Sequence, residues 1–209
     1  MKSSFLVNLA VSLVTVLSLG CGGHDSARPI FVSQIQSDPN FDGDIALVAP
    51  LTFTITSALA TGSVRAGIDP VSGDEFRGFL DFPLAGPGGV PATAAIVSAS
   101  LDIFIAGVTV VAPANTLPLL IDLVSFQPPT LIPDDFDRPP LASTAFDVFT
   151  SDTGGILVVD VTPLMIEAQR LGLPDFQLRL LLDFIASSGL VEIDDSIAAT
   201  APLLTVEFI

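Results

Sequence analysis

The feature that most constrains this chain is a strict alternation of side chains along residues 97–105. Its apolar members are Val97, Ala99, Leu101, Ile103 and Ile105. Successive side chains of a β-strand point to opposite faces of the sheet, so a period of two indicates a strand with one buried face. The same alternation recurs in residues 119–124 and 176–183. Because Gly- and Pro-containing turns separate such segments, the chain is predicted to consist mainly of strands.

The patterns predict roughly ten short strands without a βαβ rhythm. One segment departs from them: a β-branched run at residues 156–161 suits a buried strand, and a helix is expected to follow it. Thr162 is a suitable N-cap, Pro163 suits the first helical position, and Gly172 would end the helix. The predicted fold class is therefore all-β, a two-sheet antiparallel β-sandwich of jelly-roll type with one short helix.

The helix should bury one apolar stripe and leave its opposite side in water. The residues expected to face the core are Leu164, Ile166, Ala168 and Leu171. Glu167 and Arg170 are expected on the exposed side.

A Pro-rich and charged segment interrupts the strands at residues 127–141. It carries prolines at 128, 129, 133, 139 and 140, together with Asp134, Asp135, Asp137 and Arg138. Proline cannot donate to a sheet ladder, so this segment is not a central strand. A connection of this length is expected to be either functional or mobile.

The chain begins with a segment typical of export signals. Lys2 precedes an apolar run from Phe5 to Leu19, and Cys21 follows Gly20. Cys21 is the only cysteine, so it cannot form an internal disulfide. The arrangement resembles a bacterial lipobox, which implies a lipoprotein signal peptide at residues 1–20 and lipidation of Cys21. An ordinary secretory signal is the alternative.

The predicted organisation is a signal peptide, a flexible tether over residues 21–29 and a single β-sandwich domain over residues 30–209. The lipobox resemblance implies anchoring in the cell envelope. In a Gram-negative cell, Gly22 after the cysteine would imply the outer membrane or the cell surface. The predicted contact with the membrane is thus made through a lipid on the N-terminus. The sequence predicts no particular oligomeric state.

The net charge argues against nucleic acid as a partner. The full chain carries a formal charge of −16 at pH 7, and Lys2 is its only lysine. Removing residues 1–20 would therefore make the charge one unit more negative. A strongly acidic domain is repelled by nucleic acid and by anionic membrane surfaces. The simplest interpretation of the negative charge is that it keeps the domain soluble. The alternative is that it binds a specific cation.

Nucleophilic catalysis is not expected. The only histidine, His24, lies in the tether, and Cys21 is the predicted lipid site. A Ser–His or Cys–His pair therefore cannot form within the domain, and a zinc site is not expected. Two acidic groups, residues 134–137 and 192–195, contain carboxylates that could serve glycoside hydrolysis. Carboxylates in loops are more commonly just solvated, so the protein is not predicted to be an enzyme.

Calcium is the one cofactor that the residues suggest, as a structural ion. Asp38, Asn40, Asp42 and Asp44 alternate around Gly43, as in the first half of a calcium loop. The bidentate Glu that would close such a loop is missing, so an acidic turn is the alternative. The group Asp134, Asp135 and Asp137 offers a similar choice. No other cofactor is predicted.

Four blocks of the sequence, in order, resemble the DNRLRE domain, also described as carbohydrate-binding module family 96. They are RGFLDF at residues 77–82, IVSASLDIF at 96–104, VDVT at 159–162 with the following helix, and the closing segment 192–208. The resemblance implies a non-catalytic β-sandwich of an exported protein that binds a polysaccharide. It also implies that Arg77 pairs with Asp160, or with another inward-facing acid, as an architectural clasp.

Sugar binding normally uses aromatic platforms, and this chain contains neither Trp nor Tyr. Family members tend to carry Trp in the middle loop and on the helix, so the platforms here could come only from Phe. Phe104, on the polar side of its strand, and Phe136, in the Pro-rich segment, are the predicted ligand-binding residues. The alternative is a structural or protein-interaction domain of the envelope that does not bind sugar.

Overall fold

The structure of the protein is a computed structural model that describes residues 28–126, 130–183 and 188–209. The predicted signal peptide, Cys21 and most of the tether lie outside the described residues. Within the described ranges the chain forms twelve strands and two α-helices. The strands are β1 Phe31–Gln36, β2 Gly43–Val48, β3 Thr52–Ser57, β4 Ser63–Ile68, β5 Glu75–Pro83, β6 Ile96–Val110, β7 Thr116–Val124, β8 Ala142–Phe149, β9 Ile156–Asp160, β10 Asp175–Leu182, β11 Gly189–Asp194 and β12 Leu203–Phe208. The helices are α1 Ala58–Thr61 and α2 Thr162–Leu171.

The strands form a continuous antiparallel path in the order β1-β12-β6-β11-β4-β5-β10-β7-β8. Strand β2 pairs with β3 and β5, and β9 pairs with β6. The long strand β6 pairs with β12 and β9 through its first half and with β11 through residues 105–110. The all-β class is therefore confirmed, whereas a division into two separate sheets holds only in part, because β6 belongs to both groups.

The main core lies between the inner faces of these strands. It takes alternate residues from β5, β6, β7 and β10, including Leu80, Leu101, Ile121 and Leu178, each with no exposed surface. The alternation predicted for residues 99–105 is confirmed, while Val97 at the start of the strand is 46% exposed. Each fully buried aliphatic side chain contributes about 1.5–3 kcal/mol.

The central strands β5 and β10 are buried on both faces. Their outer faces carry Phe79, Asp81, Gln177 and Arg179, and all four are at most 3% exposed. A second cluster forms there from Ile45, Phe79, Val124, Phe126, Leu131 and Phe136. It contains Leu131 and Phe136 of the Pro-rich segment, so residues 130–141 of this segment cover the outer face of the sheet. Residues 127–129 lie outside the described residues.

The helix α2 occurs where it was predicted, with a different start and a different buried face. Val161 is the N-cap residue, and its side chain makes no capping hydrogen bond. The Thr162 hydroxyl instead accepts the Ala99 N–H at 2.9 Å, because β6 packs beside it. Gly172 ends the helix in the left-handed conformation, as predicted.

The buried face of α2 is formed by Leu164, Met165 and Ala168, whereas Ile166 and Leu171 are 48% and 39% exposed. Glu167 and Arg170 lie on the solvent side of the helix, as predicted, and form an ion pair at 2.6 Å. In the strand before the helix, Val159 is buried and Ile156 and Val158 are each 61% exposed. Strand β9 pairs only with β6 and is covered on one face, so the expectation of a fully buried strand was wrong.

Among residues 28–126, 130–183 and 188–209, no helix combines the length and apolarity that crossing a membrane requires.

Candidate functional site

Two arginines of the sheet hold residues 130–141 of the Pro-rich segment in place, and these residues form one wall of the candidate site. We name residues 130–141 the covering segment. Arg179 on β10 donates to the Phe136 carbonyl oxygen at 2.7 Å, and Arg77 on β5 donates to the same oxygen at 2.5 Å. Within the segment, Arg138 donates to Asp135 Oδ1 at 2.6 and 2.9 Å. The segment is therefore fixed by charge-assisted hydrogen bonds, which are stronger than neutral ones.

The carboxylate of Asp135 organises the turn at the middle of the covering segment. It has no exposed surface and accepts the backbone N–H of Ile132 at 2.9 Å in a 3₁₀ turn over Pro133–Asp135. Its other oxygen binds Arg138. Since both oxygens have donors, Asp135 shapes the segment and does not offer a free carboxylate.

Phe136 is not an exposed platform, contrary to the sequence-based expectation. Only 2% of its surface is exposed, and its ring packs in the second core. The Arg77 guanidinium lies 3.9 Å from the ring centroid, a cation–π contact. Phe136 was predicted outside because it stands among prolines and aspartates, but three arginine contacts draw this part of the segment inwards.

Phe53 is the aromatic residue that is open to solvent here. It lies on β3, an edge strand whose residues are almost all exposed, and 37% of Phe53 is exposed. Its ring centroid is 5.2 Å from that of Phe136, so a buried ring supports it from behind. Phe53 and the covering segment line an open cleft of about 470 Å³, whose other lining residues are Pro133, Asp134, Asp137, Arg138 and Pro139.

The polar groups of this cleft are positioned by residues outside it. Asp137 is 77% exposed and accepts from Arg77 at 2.9 Å. Arg77 in turn donates to Glu75 at 2.8 Å. Arg138 is held by Asp135 and keeps about a third of its side chain, 31%, in solvent. The cleft thus combines one aromatic face, exposed carboxylates and one guanidinium on a fixed backbone.

Phe104 lies in a different part of the molecule. It is half-buried on β6 and lines a small cavity of about 80 Å³ together with Gln36, Asp102, Ile156 and the turn 198–201. Phe104 and Phe136 are therefore not parts of one site. A larger pocket of about 350 Å³ lies between residues 84–92 and the end of α2, where Gln169 donates to the Pro91 carbonyl oxygen.

The acidic residues predicted as calcium ligands do not converge. Asp44 is buried, and both of its oxygens bind Arg65 at 3.0–3.2 Å. Burial raises the pKa of Asp44, and the hydrogen bonds and charge of Arg65 oppose that rise. Asp38 instead caps a local turn, since its Oδ1 accepts from the backbone and the side chain of Asn40.

Asp42 is separated from this group by its own contacts. It is 1% exposed and accepts the Asp81 N–H at 2.7 Å. The described part of the chain contains no group of three or more Asp, Glu, His or Cys side chains arranged to hold a metal ion. The predicted calcium set fails because Arg65 occupies Asp44, and the alternative set fails because Asp135 and Asp137 bind arginines.

Arg77 forms a clasp, though not with Asp160. Asp160 instead interacts with Thr162, and hydrogen bonds from the Thr162 side chain and from the Thr162 N–H, the latter at 2.9 Å, lower the pKa of Asp160. The partners of Arg77 are Glu75, Asp137 and the Phe136 carbonyl oxygen.

Phe53 was not predicted as a site residue, because the sequence indicated that it lies on a strand but not that its ring is open to solvent. The Thr–Phe–Thr–Ile–Thr alternation indicated one face in water and one in the core. Which face stays open depends on the covering segment, and that segment is distant in sequence. The Thr content was the only signal that this strand lies at an edge.

No protein-family model matches the chain, and no curated protein matches it. The site is therefore interpreted from its own geometry.

Proposed function

We propose that this chain is a non-catalytic binding protein of the bacterial cell envelope, anchored by a lipid on Cys21. In this proposal its β-sandwich domain binds a polysaccharide at the cleft beside Phe53. The observation that carries the proposal is the exposed Phe53 ring in a cleft of about 470 Å³ that also holds Asp134, Asp137 and Arg138.

The chemistry of this cleft suits a sugar. A pyranose ring presents C–H groups on its faces, which pack on an aromatic ring, and hydroxyl groups at its rim. Carboxylates accept hydrogen bonds from hydroxyl groups, and a guanidinium donates to them. Phe53 rests on the buried ring of Phe136, and Arg138 is held by Asp135. A cleft with fixed side chains loses less conformational entropy when a ligand binds.

The arrangement supports binding in preference to hydrolysis. Glycoside hydrolysis needs two carboxyl groups on opposite sides of the scissile bond. The carboxylates of this cleft, Asp134 and Asp137, come from a single turn, and Asp137 is bound to Arg77. The opposite wall is the side chain of Phe53, which has no titratable group.

The anchoring part of the proposal rests on residues 1–29 and has its own test. Cells that express the full chain are labelled with radioactive palmitate, and the protein is then isolated. Label is expected on the wild-type chain and is expected to be lost in Cys21→Ser. Wild-type protein that is recovered from the membrane fraction without label would contradict lipidation. That result would not affect the sugar-binding proposal.

The binding part is tested with the full chain on a glycan array and by pull-down with insoluble polysaccharides. We expect saturable binding to one polysaccharide class, weakened at least tenfold in Phe53→Ala. Phe149→Ala is the matched control, because Phe149 is a comparably exposed ring, 43%, on β8. Phe104→Ala tests the residue that the sequence suggested.

Equal loss of binding in the Phe53 and Phe149 variants would contradict the site. Loss in Phe104→Ala alone would move the site to the small cavity on β6. A folded wild-type chain that binds no glycan would contradict sugar binding altogether.

A structural or protein-interaction role is the alternative, and one observation favours it. Strand β1 lies at the end of the strand path, and an apolar exposed group marks its start: Ile30, Phe31 and Val32 are 55–58% exposed. An edge strand with free backbone groups and apolar side chains can pair with another chain. Under this alternative, Val32→Lys would abolish association with the partner while leaving the Phe53 cleft intact.

A further inference from the structure

Four buried side-chain oxygen atoms in the described part of the chain have no hydrogen-bond partner, and they belong to three residues. They are Ser37 Oγ, Asp42 Oδ2 and both carboxylate oxygens of Asp195. These residues are 4%, 1% and 6% exposed. An unsatisfied buried polar group costs about 1–3 kcal/mol, and a charged one costs more. Four such atoms at unrelated places would be unusual, so their relative position matters.

The three residues lie at one end of the sandwich around helix α1. The Asp42 carbonyl oxygen accepts the first helical N–H, that of Ala58, at 3.0 Å. Gly62 ends the helix, and its carbonyl oxygen accepts the Asp195 N–H at 2.8 Å. Ser37 joins them because the next residue, Asp38, accepts the Asp42 N–H at 3.0 Å. The backbone thus brings the three side chains together from distant parts of the chain.

The two carboxyl groups are close enough that each affects the pKa of the other. Burial raises the pKa of Asp42 to about 9, while the Ser37 hydroxyl lowers it and the charges of Asp195 and Asp81 raise it further. Burial also raises the pKa of Asp195 to about 6, with the charge of Asp194 adding to the rise, the neighbouring Asp42 carboxyl opposing it and the charge of Asp38 adding to it. None of the ion pairs among the described residues involves Asp42 or Asp195. This pocket therefore lacks a positive charge.

We propose that Ser37, Asp42 and Asp195 form a binding site for one Ca²⁺ ion. Calcium takes oxygen ligands of this kind, carboxylates in mono- or bidentate mode and neutral oxygens, and it tolerates irregular geometry. The unpartnered atoms supply up to four oxygens, and the two carboxylates balance the charge of the ion. With no nitrogen or sulfur among the three side chains, a transition metal is disfavoured.

This site is distinct from the predicted calcium set. It shares only Asp42 with that set. Its other residues are Ser37, which lies 5 residues before Asp42 in the sequence, and Asp195, which lies 153 residues after it. It is also separate from the cleft at Phe53, so either proposal can fail without the other. An ion here would tie β1, the loop before β2, and the end of β11 to one another.

The test begins with the full wild-type chain, stripped of metal with EDTA and dialysed into metal-free buffer. Calorimetric titration with CaCl₂ is expected to show one ion per chain. The Tm, followed by circular dichroism, is expected to rise by roughly 5–10 °C when calcium is present at about a hundred times its Kd. Magnesium at the same concentration is expected to produce a smaller shift, because Mg²⁺ requires stricter octahedral geometry.

Two variants locate the ion, and a third is their control. Asp195→Asn and Asp42→Asn are expected to lose the calcium-dependent rise in Tm. Asp147→Asn removes an exposed carboxylate on β8 and is expected to keep it. If one of the two variants does not fold, the wild-type titration and the other variant still test whether calcium binds at this site.

Three results would overturn the proposal. The first is a wild-type chain that binds no calcium while the Asp42→Asn and Asp195→Asn chains have a higher Tm than the wild type. That combination would indicate that the two carboxyl groups share a proton. The second is calcium binding retained in both variants. The third is an equal response to magnesium, which would remove the assignment to calcium.

Discussion

Arg179 and Asp122 form an ion pair that is almost completely buried. The Arg179 Nη2–Asp122 Oδ2 distance is 2.6 Å, and each side chain is 4% exposed. Ser143 donates to the second oxygen of Asp122, while Arg179 also donates to the Phe136 carbonyl oxygen. The pair therefore links the outer face of β7 and β10 to the covering segment that forms the cleft.

Breaking this pair should strongly destabilise the protein. Asp122→Asn leaves the Arg179 charge buried without a counter-ion, and such changes cost about 3–5 kcal/mol. Chemical denaturation followed by circular dichroism measures the loss. Glu167→Gln is the control, because it breaks the solvent-exposed pair with Arg170 on α2, and such pairs contribute little to stability. Equal effects of the two substitutions would contradict the structural role of the buried pair.

Phe53 in the cleft and the buried Phe136 beside it should have different roles. Phe136→Ala removes a ring from the second core and is expected to lower the free energy of unfolding by about 3–5 kcal/mol. Phe53→Ala removes a partly exposed ring and is expected to cost about 1 kcal/mol or less. Urea denaturation of both variants measures this difference. A Phe136 variant as stable as the wild-type chain would mean that the covering segment is not packed through this ring.

Stability should fall as the pH rises from about 4 to about 9. Burial raises the pKa of Asp42 to about 9 and the pKa values of Asp81 and Asp195 to about 6. In the unfolded chain these groups lose their protons near pH 4. Between the two pKa values the folded chain binds more protons than the unfolded chain, so the free energy of unfolding decreases with pH.

Denaturation in EDTA at pH 5, 7 and 9 measures this dependence. Of these three groups Asp42 has the highest pKa, about 9, so Asp42→Asn should flatten the curve between pH 7 and 9. The Asp147→Asn chain should retain the wild-type slope. A wild-type free energy of unfolding that increases from pH 5 to pH 9 would contradict the assignment of raised pKa values.

Gly67 should tolerate no side chain. Its φ is +119°, and a Cβ atom there would lie 2.2 Å from the Gly189 carbonyl oxygen on the paired strand β11. Gly67→Ala is expected to cost more than about 2 kcal/mol, because the strained backbone alone costs about 1–3. Gly73 also has a positive φ, of +78°, but nothing lies within 4 Å of its Cβ position. Gly73→Ala should therefore cost only about 1 kcal/mol. Thermal unfolding of the two variants measures the loss of stability. Equal losses in both would mean that the close approach of β4 and β11 does not matter.

The strand content and much of the core could be predicted from the sequence. The alternation along β6 assigned Ala99, Leu101, Ile103 and Ile105 to the inside, and all four are buried. The location and the end of α2 were also predicted. These predictions succeeded because a repeat of apolar side chains is a local property, and because Gly172 is suited to the left-handed end of a helix.

The candidate site was predicted poorly, since its residues depend on contacts between distant segments. Phe136 was expected outside and Phe53 was not selected. The reversal comes from Arg77 and Arg179, which bind the Phe136 backbone from the outer face of the sheet. Burial of charged residues on that face cannot be recognised from alternation, which predicts only one buried face for each strand.

By itself, the sequence determined that the chain forms an acidic, nearly all-strand domain whose core is made of alternating aliphatic residues. It also determined where one helix follows a strand. Only the tertiary structure decided which charged groups are buried and which of them are paired. Arg179 meets Asp122 and Arg65 meets Asp44, whereas Asp42 and Asp195 meet no cation among the described residues. Hydrophobic periodicity acts along a few neighbouring residues, but the balance of buried charge depends on which distant segments the fold places side by side.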